Sequence, residues 1–135
     1  MPQYLAKLPQ ATQNAIGYVQ KVTGTYNGSN SGGGNSVTGD KCFLLSGKEI
    51  FGGSGASNGS FCTTNEAAET FQYQYFQSIA TTPASRNINS SAKQWWWLRS
   101  PIYNDVNIFC SVGAGRSCSN NAYSDLGVFA AFCIY

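Results

Sequence analysis

The sequence predicts a small α+β domain, with two helices in its first half, strands in its second half and long loops between them. Its 135 residues suffice for one compact domain. Aromatic residues make up 14% of the chain and charged residues only 10%, so it has apolar surface to bury and is not expected to be disordered. It also contains 15 glycines, which is too many for a helical bundle.

The first predicted element is a helix that begins at Leu8-Pro9 and runs to about Val22. Proline suits the first turn of a helix, and Ala15, Ile16, Val19 and Val22 recur at helical spacing. From residue 24 to 39, 12 of 16 residues are Gly, Ser or Asn, which predicts a surface loop or tether. We therefore divide the chain into 1–40, a helix and loop, and 41–135, a domain.

A short buried strand is predicted at Cys42–Leu45. Ser46 and Glu49 then have the spacing of a capping box, which predicts a helical turn that ends near Gly52. Thr63 and Glu66 repeat this spacing ahead of a second helix that runs to about Ile79. The apolar side of this helix is predicted from Ala68, Phe71, Tyr75 and Ile79. Residues 81–91 are predicted to form a polar loop.

Three further strands are predicted, at Trp95–Arg99, Ile108–Val112 and Val128–Tyr135. Alternation places Trp95, Trp97 and Arg99 on one side of the first strand and Trp96 and Leu98 on the other. We expect at least two of the three tryptophans in the core, Arg99 to act as a local anchor, and Pro101 to end the ladder. Residues 113–127, rich in Gly, Ser and Asn, are predicted to form a loop.

Several classes of chemistry lack their usual residues. There is no histidine, which removes the commonest general base and metal ligand, and no nucleotide-binding or EF-hand motif is present. We therefore predict neither an enzyme nor a bound metal or cofactor. The net charge of +2 is small and dispersed, so no nucleic-acid partner is expected.

The five cysteines contain no C-x-x-C pair and are expected to be mostly buried thiols, with one disulfide if the protein works outside a cell. Cys110 and Cys133 each follow a phenylalanine in a predicted strand. Two alternatives stay open for them: they face each other as a thiol pair or disulfide, or they are independent core residues.

The block Trp96–Pro101, with the sequence WWLRSP, is followed by Phe109-Cys110, Gly127-Val128 and a terminal Phe132–Ile134. Upstream lie Leu44–Ser46 with Glu49, then Phe51-Gly52 and the aromatic residues 73–76. From about Lys41 to Ile134 this pattern resembles the C-type-lectin-fold variable proteins of diversity-generating retroelements. The resemblance implies two helices packed on a twisted antiparallel sheet, which displays a variable region at about 102–131.

By this resemblance, the variable face binds a ligand and the scaffold holds it. The expected ligand contacts are Tyr103, Asn104, Asp105, Asn107, Ile108, Ser111, Arg116, Asn120, Tyr123, Ser124 and Leu126, with Phe129 as a further candidate. The expected scaffold residues are Trp96, Trp97, Leu98, Arg99, Phe109, Cys110, Val128, Phe132, Cys133 and Ile134. The calcium-dependent sugar motifs Glu-Pro-Asn and Gln-Pro-Asp are absent, so calcium-dependent sugar binding is not predicted.

One consequence of the resemblance is visible in the sequence. These retroelements introduce errors at adenines, and such errors in an AAC or AAT codon never give Lys, Glu, Gln, Met or Trp. These five types supply 20 of the 109 residues outside 102–127, so the 26-residue window would hold about five at that rate. It holds none, and 12 of its residues are Tyr, Asn, Ser or Asp. This composition supports the resemblance.

The resulting hypothesis is a receptor-binding domain of a phage tail or bacterial cell surface. Its partners would be a protein or glycan on a target cell and other chains of the same assembly. The sequence shows no signal peptide, and no membrane insertion is expected. Two alternatives stay open: a fixed structural or decoration domain, and a formylglycine-generating-type oxidase, for which Cys110, Cys118 and Cys133 are the candidate cysteines.

Overall fold

The structure, a computed structural model, describes residues 2–25, 35–52, 72–78, 95–101, 107–113 and 116–135, with the backbone alone at 2, 35 and 116–119. Short helices and short antiparallel strands together form an α+β architecture, as predicted. In chain order the elements are α1 (Pro2–Leu5), α2 (Gln10–Ala15), β1 (Val19–Gly24), β2 (Asn35–Asp40), β3 (Phe43–Leu44), α3 (Gly47–Phe51), α4 (Gln74–Ser78), β4 (Trp96–Pro101), β5 (Ile108–Gly113), β6 (Arg116–Asn121) and β7 (Ala130–Ala131).

The predicted N-terminal helix is shorter than expected. Helix α2 begins after Pro9 and ends at Ala15, and the chain then turns extended at Ile16. The expected continuation to Val22 is wrong, because Val19–Gly24 forms strand β1. Its β-branched residues lose side-chain freedom in a helix and suit a strand.

Part of the predicted loop 24–39 is also a strand. Residues Asn35–Asp40 form β2, which pairs with β1 in antiparallel register from Val19 opposite Asp40 to Gly24 opposite Asn35. Polar residues form this ladder through backbone hydrogen bonds, which require no apolar pattern. The Gly, Ser and Asn content therefore hid the returning strand, and the rest of the predicted loop, 26–34, lies outside the described residues.

The strand and the capped helical turn predicted within residues 42–52 are confirmed, although the strand covers only Phe43–Leu44. Strand β3 leads into α3, where Ser46 Oγ accepts a hydrogen bond from the Glu49 N–H at 3.1 Å and Glu49 Oε2 accepts one from the Ser46 N–H at 2.8 Å. This is a complete capping box. The helix ends at Gly52, whose φ of 80° is a conformation that favours glycine.

Helix α4 covers the end of the predicted second helix, and its core-facing residue is not the expected one. Phe76 is buried, whereas Tyr75 is exposed. The Tyr73 N–H donates to the Glu49 carbonyl at 3.0 Å, and this contact with α3 fixes the orientation of the short helix. The predicted cap at Thr63 and Glu66, the apolar positions Ala68, Phe71 and Ile79, and the loop 81–91 lie outside the described residues.

Strands β4, β5 and β6 form an antiparallel sheet in that order. The alternation predicted for β4 is confirmed, since Trp96 and Leu98 are buried while Trp97 and Arg99 are half-buried. The expectation of two core tryptophans is wrong: Trp96 alone is buried, and Trp95 precedes the strand and is exposed. Pro101 is the last residue of β4, after an irregularity in the ladder.

The predicted loop 113–127 contains a strand. Residues Arg116–Asn121 form β6 and pair with β5 from Ile108 opposite Asn121 to Gly113 opposite Arg116. The predicted strand Val128–Tyr135 is reduced to β7, which pairs with β3, and to a single bridge between Ile16 and Ile134. The C-terminal segment therefore joins the N-terminal part of the chain to the sheet region.

The cysteines divide into two states. Cys110 is disulfide-bonded, whereas Cys42 and Cys133 are thiols. A Cys110–Cys133 disulfide is therefore excluded. Burial raises the pKa of the Cys42 thiol, which makes it a poor nucleophile at neutral pH.

The core lies between α3, α4 and the inner faces of β3, β4 and β5. Its buried members are Phe43, Leu45, Ile50, Phe76, Trp96, Leu98, Cys110 and Val112. Within the described part of the chain, no helix has the length and apolarity needed to cross a membrane.

Candidate functional site

A buried cluster of charged side chains connects four parts of the fold. Glu49 of α3 is fully buried and accepts hydrogen bonds from Lys21 Nζ of β1 at 2.7 Å and from Arg99 Nη1 of β4 at 2.5 Å. Tyr73, just before α4, accepts from Lys21 Nζ at 2.5 Å and donates to Glu49 Oε1 at 3.2 Å. We call Lys21, Glu49, Tyr73 and Arg99 the Glu49 cluster.

The Glu49 cluster holds two cations and one carboxylate. Burial alone would raise the pKa of Glu49, but hydrogen bonds from Arg99 and Lys21 and the Arg99 charge outweigh it and hold the pKa below its ordinary value. The Lys21 ammonium also lies 4.1 Å from the centroid of the Phe43 ring, whose π face attracts a cation. The carboxylate is therefore ionised at neutral pH and is shared between both cations.

Arg99 makes the contacts expected of an anchor. Besides Glu49, its guanidinium donates to the Leu44 carbonyl at 3.0 Å and to the Val22 carbonyl at 3.3 Å. These bonds connect β4 with β1 and with the end of β3. The cluster thus positions strand β4, which begins with Trp96 and Trp97.

The sequence-predicted contact residues fall into several environments. Tyr103, Asn104 and Asp105 lie outside the described residues, and Arg116 is described by its backbone alone. Asn107 and Tyr123 are exposed, and Tyr123 is 85% exposed. The half-buried ones are Ile108, Asn120, Ser124 and Leu126.

Ser111 differs from the other predicted contacts because it is fully buried. Its hydroxyl accepts a hydrogen bond from Asn120 Nδ2 at 2.8 Å, between strands β5 and β6. A side chain in this position supports the hairpin and is not accessible to a ligand. We therefore leave it out of the proposed surface.

The predicted scaffold residues also differ in burial. Trp96, Leu98 and Cys110 are buried, whereas Trp97, Arg99, Phe109, Phe132 and Cys133 are half-buried. Val128 and Ile134 are exposed. Val128 therefore lies on the surface beside the predicted contacts.

Gly127 attaches the segment after β6 to strand β4. Its N–H donates to the Trp95 carbonyl at 2.8 Å, and its carbonyl accepts from the Trp97 N–H at 2.9 Å. A Cβ atom at this position would lie 3.2 Å from the Trp95 carbonyl oxygen and 3.6 Å from Trp96 Cβ. This close backbone approach favours glycine.

A surface groove lies beside this attachment. It is lined by Trp95, Asp125, Leu126 and Gly127 and has a volume of about 390 Å³. Exposed apolar and aromatic side chains occur on the same segment at Tyr123, Val128 and Phe129. The Phe129 ring lies 5.7 Å from that of Trp96, which connects this surface, called the 120–129 surface below, to the core.

A second, smaller cavity of about 250 Å³ lies along β4. Its lining is largely apolar and consists of Leu44, Trp97, Leu98, Arg99, Phe109 and Ala122. The described residues contain no cluster of three or more His, Cys, Asp or Glu side chains able to hold a metal ion. Of these two cavities, the groove beside Gly127 is the one that lies on the predicted contact segment.

Comparison with known families gives one match, which covers nearly the whole chain. The family model of a domain of unknown function, DUF6273, matches residues 2–135. The chain belongs to this family. The DUF6273 match spans the N-terminal helix and hairpin as well as 41–135. No curated protein and no solved structure shows a significant match.

Sequence reasoning missed two parts of these sites. Lys21 and Tyr73 join the Glu49 cluster although they lie 28 and 24 residues from Glu49, and a long-range ion pair leaves no local pattern. Trp95 was assigned to a strand face, but it lies one residue before β4 and lines the groove. Trp95 directly follows a polar segment, and this was the sequence feature that could have indicated its exposure.

Proposed function

We propose that this chain is a recognition domain that binds a ligand through the 120–129 surface, on a scaffold of the C-type-lectin type. The observation that carries this proposal is the attachment at Gly127. Two backbone hydrogen bonds hold the segment against β4, while Tyr123, Val128 and Phe129 stay exposed. Binding residues commonly occur on a loop positioned by a rigid scaffold.

The side chains on this surface suit adaptable binding. Tyrosine supplies a large contact area with few rotatable bonds, and Ser and Asn supply hydrogen bonds in many geometries. Because the attachment uses backbone atoms, neighbouring side chains can change while the segment keeps its position. The lack of Lys, Glu, Gln, Met and Trp in 102–127 supports diversification by errors at adenines.

The proposed location is a phage tail or a bacterial cell surface. A disulfide at Cys110 is typical of proteins that work in an oxidising environment. Repeated copies on such an assembly strengthen binding of a cell-surface ligand, since multivalency raises overall affinity by about 10²–10⁴. The ligand in this proposal is a protein on the target cell.

The deciding experiment is to sequence the DNA on both sides of the gene. We expect a reverse-transcriptase gene and a near-copy of the codons for about 102–134, with differences concentrated where the copy has adenine. The codons for 41–101 are the internal control and should have no such copy. If neither the copy nor the reverse transcriptase is present, diversification is overturned and 102–127 is a fixed segment.

A further inference from the structure

We propose that the groove lined by Trp95, Asp125, Leu126 and Gly127 binds the guanidinium group of an arginine side chain on the partner protein. This inference rests on the proposed function, because it names the chemistry that the 120–129 surface recognises. The proposed function defines this surface by its position and exposure, and the inference specifies the ligand group that it binds.

The groove presents hydrogen-bond acceptors to a ligand. Asp125 is exposed and makes no hydrogen bond or ion pair within the described part of the chain. The nearby N–H groups of Trp97, Ser124 and Gly127 already donate to backbone carbonyls. The groove therefore offers acceptor atoms, while these backbone donors are already used.

The indole ring of Trp95 gives the groove an exposed aromatic surface. Trp95 is 42% exposed and lines the same groove as Asp125. The indole face attracts cations more strongly than other aromatic rings do. A ligand that donates hydrogen bonds and carries a positive charge satisfies both the carboxylate and the ring.

The groove carries a negative charge at Asp125. Among the side chains described in 107–135, Asp125 is the only one charged at neutral pH. Within the described residues no cation pairs with it, and the other groove residues, Trp95, Leu126 and Gly127, carry no side-chain charge. A cationic partner is complementary to this surface.

Arginine fits better than lysine or a sugar. Its guanidinium is planar, stacks on an aromatic ring and presents parallel N–H donors to a carboxylate. A lysine ammonium is a compact, strongly hydrated charge that does not stack. A sugar hydroxyl carries no charge, so it makes a weaker hydrogen bond to the exposed carboxylate than a guanidinium does.

The test is an NMR titration of the full chain labelled with ¹⁵N. The probe is N-acetyl-arginine methylamide, and its neutral counterpart, N-acetyl-citrulline methylamide, is the matched control. We expect arginine to shift the Trp95 indole N–H and Gly127 amide signals and citrulline to leave them unchanged. The Trp95→Leu variant identifies the indole signal among the three tryptophans.

Two carboxylate variants complete the test. Asp125→Asn should weaken arginine binding roughly two- to five-fold, the range for one exposed ion pair or cation–π contact. Asp40→Asn, on β2 away from the groove, should leave it unchanged. Equal shifts with citrulline, equal affinity in Asp125→Asn, or no shift with arginine would each overturn the inference.

The remaining possible result of the NMR titration is that the groove binds a glycan. If methyl β-galactoside or methyl α-mannoside shifts the Trp95 and Gly127 signals and arginine does not, the groove is a sugar site and the arginine inference is wrong. This failure is distinct from failure of the proposed function, because diversification is tested in the DNA flanking the gene.

Discussion

Glu49 is the residue on which the buried charges depend. It is fully buried, and both Lys21 and Arg99 donate to its carboxylate. Replacing it by glutamine removes the only negative charge of the Glu49 cluster, to which both Lys21 and Arg99 donate. Removal of one partner of a buried ion pair costs about 3–5 kcal/mol, so Glu49→Gln should lower the free energy of unfolding by that amount at neutral pH.

The pH dependence of this effect follows from the lowered pKa of Glu49. A carboxyl group with a lowered pKa in the folded state stabilises the fold above its unfolded pKa, about 4.3, and loses this contribution as the pH falls through the folded value. The stability difference between wild type and Glu49→Gln should therefore shrink from about pH 5 downward. Urea denaturation across this range measures it, and a constant difference would contradict the role assigned to Glu49.

Gly127 is constrained by a backbone oxygen. A Cβ atom there would lie 3.2 Å from the Trp95 carbonyl oxygen, whereas one at Gly39 of β2 meets nothing within 4 Å. Gly127→Ala should cost about 1–3 kcal/mol through this crowding. Gly39→Ala should be neutral or stabilising by less than about 1 kcal/mol. Equal denaturation midpoints for the two variants would show that the segment adapts to the added methyl group.

At the scale of elements, Lys21 attaches the β1–β2 hairpin to α3 and β4. Lys21→Met keeps the apolar stem and removes the second cation, so a balanced Arg99–Glu49 pair remains. This variant should lose about 1–2 kcal/mol, clearly less than Glu49→Gln, because it leaves no unpaired buried charge. Thermal denaturation of both variants tests the order, and a larger loss for Lys21→Met would refute the shared-carboxylate interpretation.

Elements with local signals were predictable from the sequence, and those that depend on distant partners were not. The capping box at Ser46 and Glu49 and the alternation in β4 involve neighbouring residues and were identified. Residues 19–24 have an apolar spacing compatible with a helix, and only the pairing with β2 decides for a strand. Strand β6 is polar and is defined by its register with β5, so composition predicted a loop.

The same contrast applies to the candidate site. Tyr123 and Leu126 were predicted contacts because they belong to a segment of unusual composition, whereas Asp125 in the same segment was not predicted. The groove was not predicted either, since it forms where Gly127 meets Trp95 across 32 residues of sequence. Ser111 was predicted as a contact from the resemblance, and its hydrogen bond from Asn120 was not foreseen because strand β6 was not recognised.

At the scale of the whole molecule, the disulfide at Cys110 ties the central strand β5 to another part of the chain. A disulfide stabilises mainly by restricting the unfolded chain, commonly by about 2–4 kcal/mol. Dithiothreitol should therefore lower the unfolding free energy of the wild type by roughly this amount. It should have little effect on Cys110→Ala, and Cys133→Ala should respond as the wild type does. Peptide mapping of the non-reduced chain identifies the partner, and a reduction-insensitive wild type would contradict a stabilising role.

The attachment at Gly127 also has a genetic consequence. Every codon that begins with GG encodes glycine, so an error at an adenine in the third position is silent and the first two positions contain no adenine. If the chain is diversified as proposed and the template copy also has a codon that begins with GG here, rewriting of adenines changes the codons on either side and leaves this contact intact. In that case the genetic code itself protects the residue that holds the segment in place.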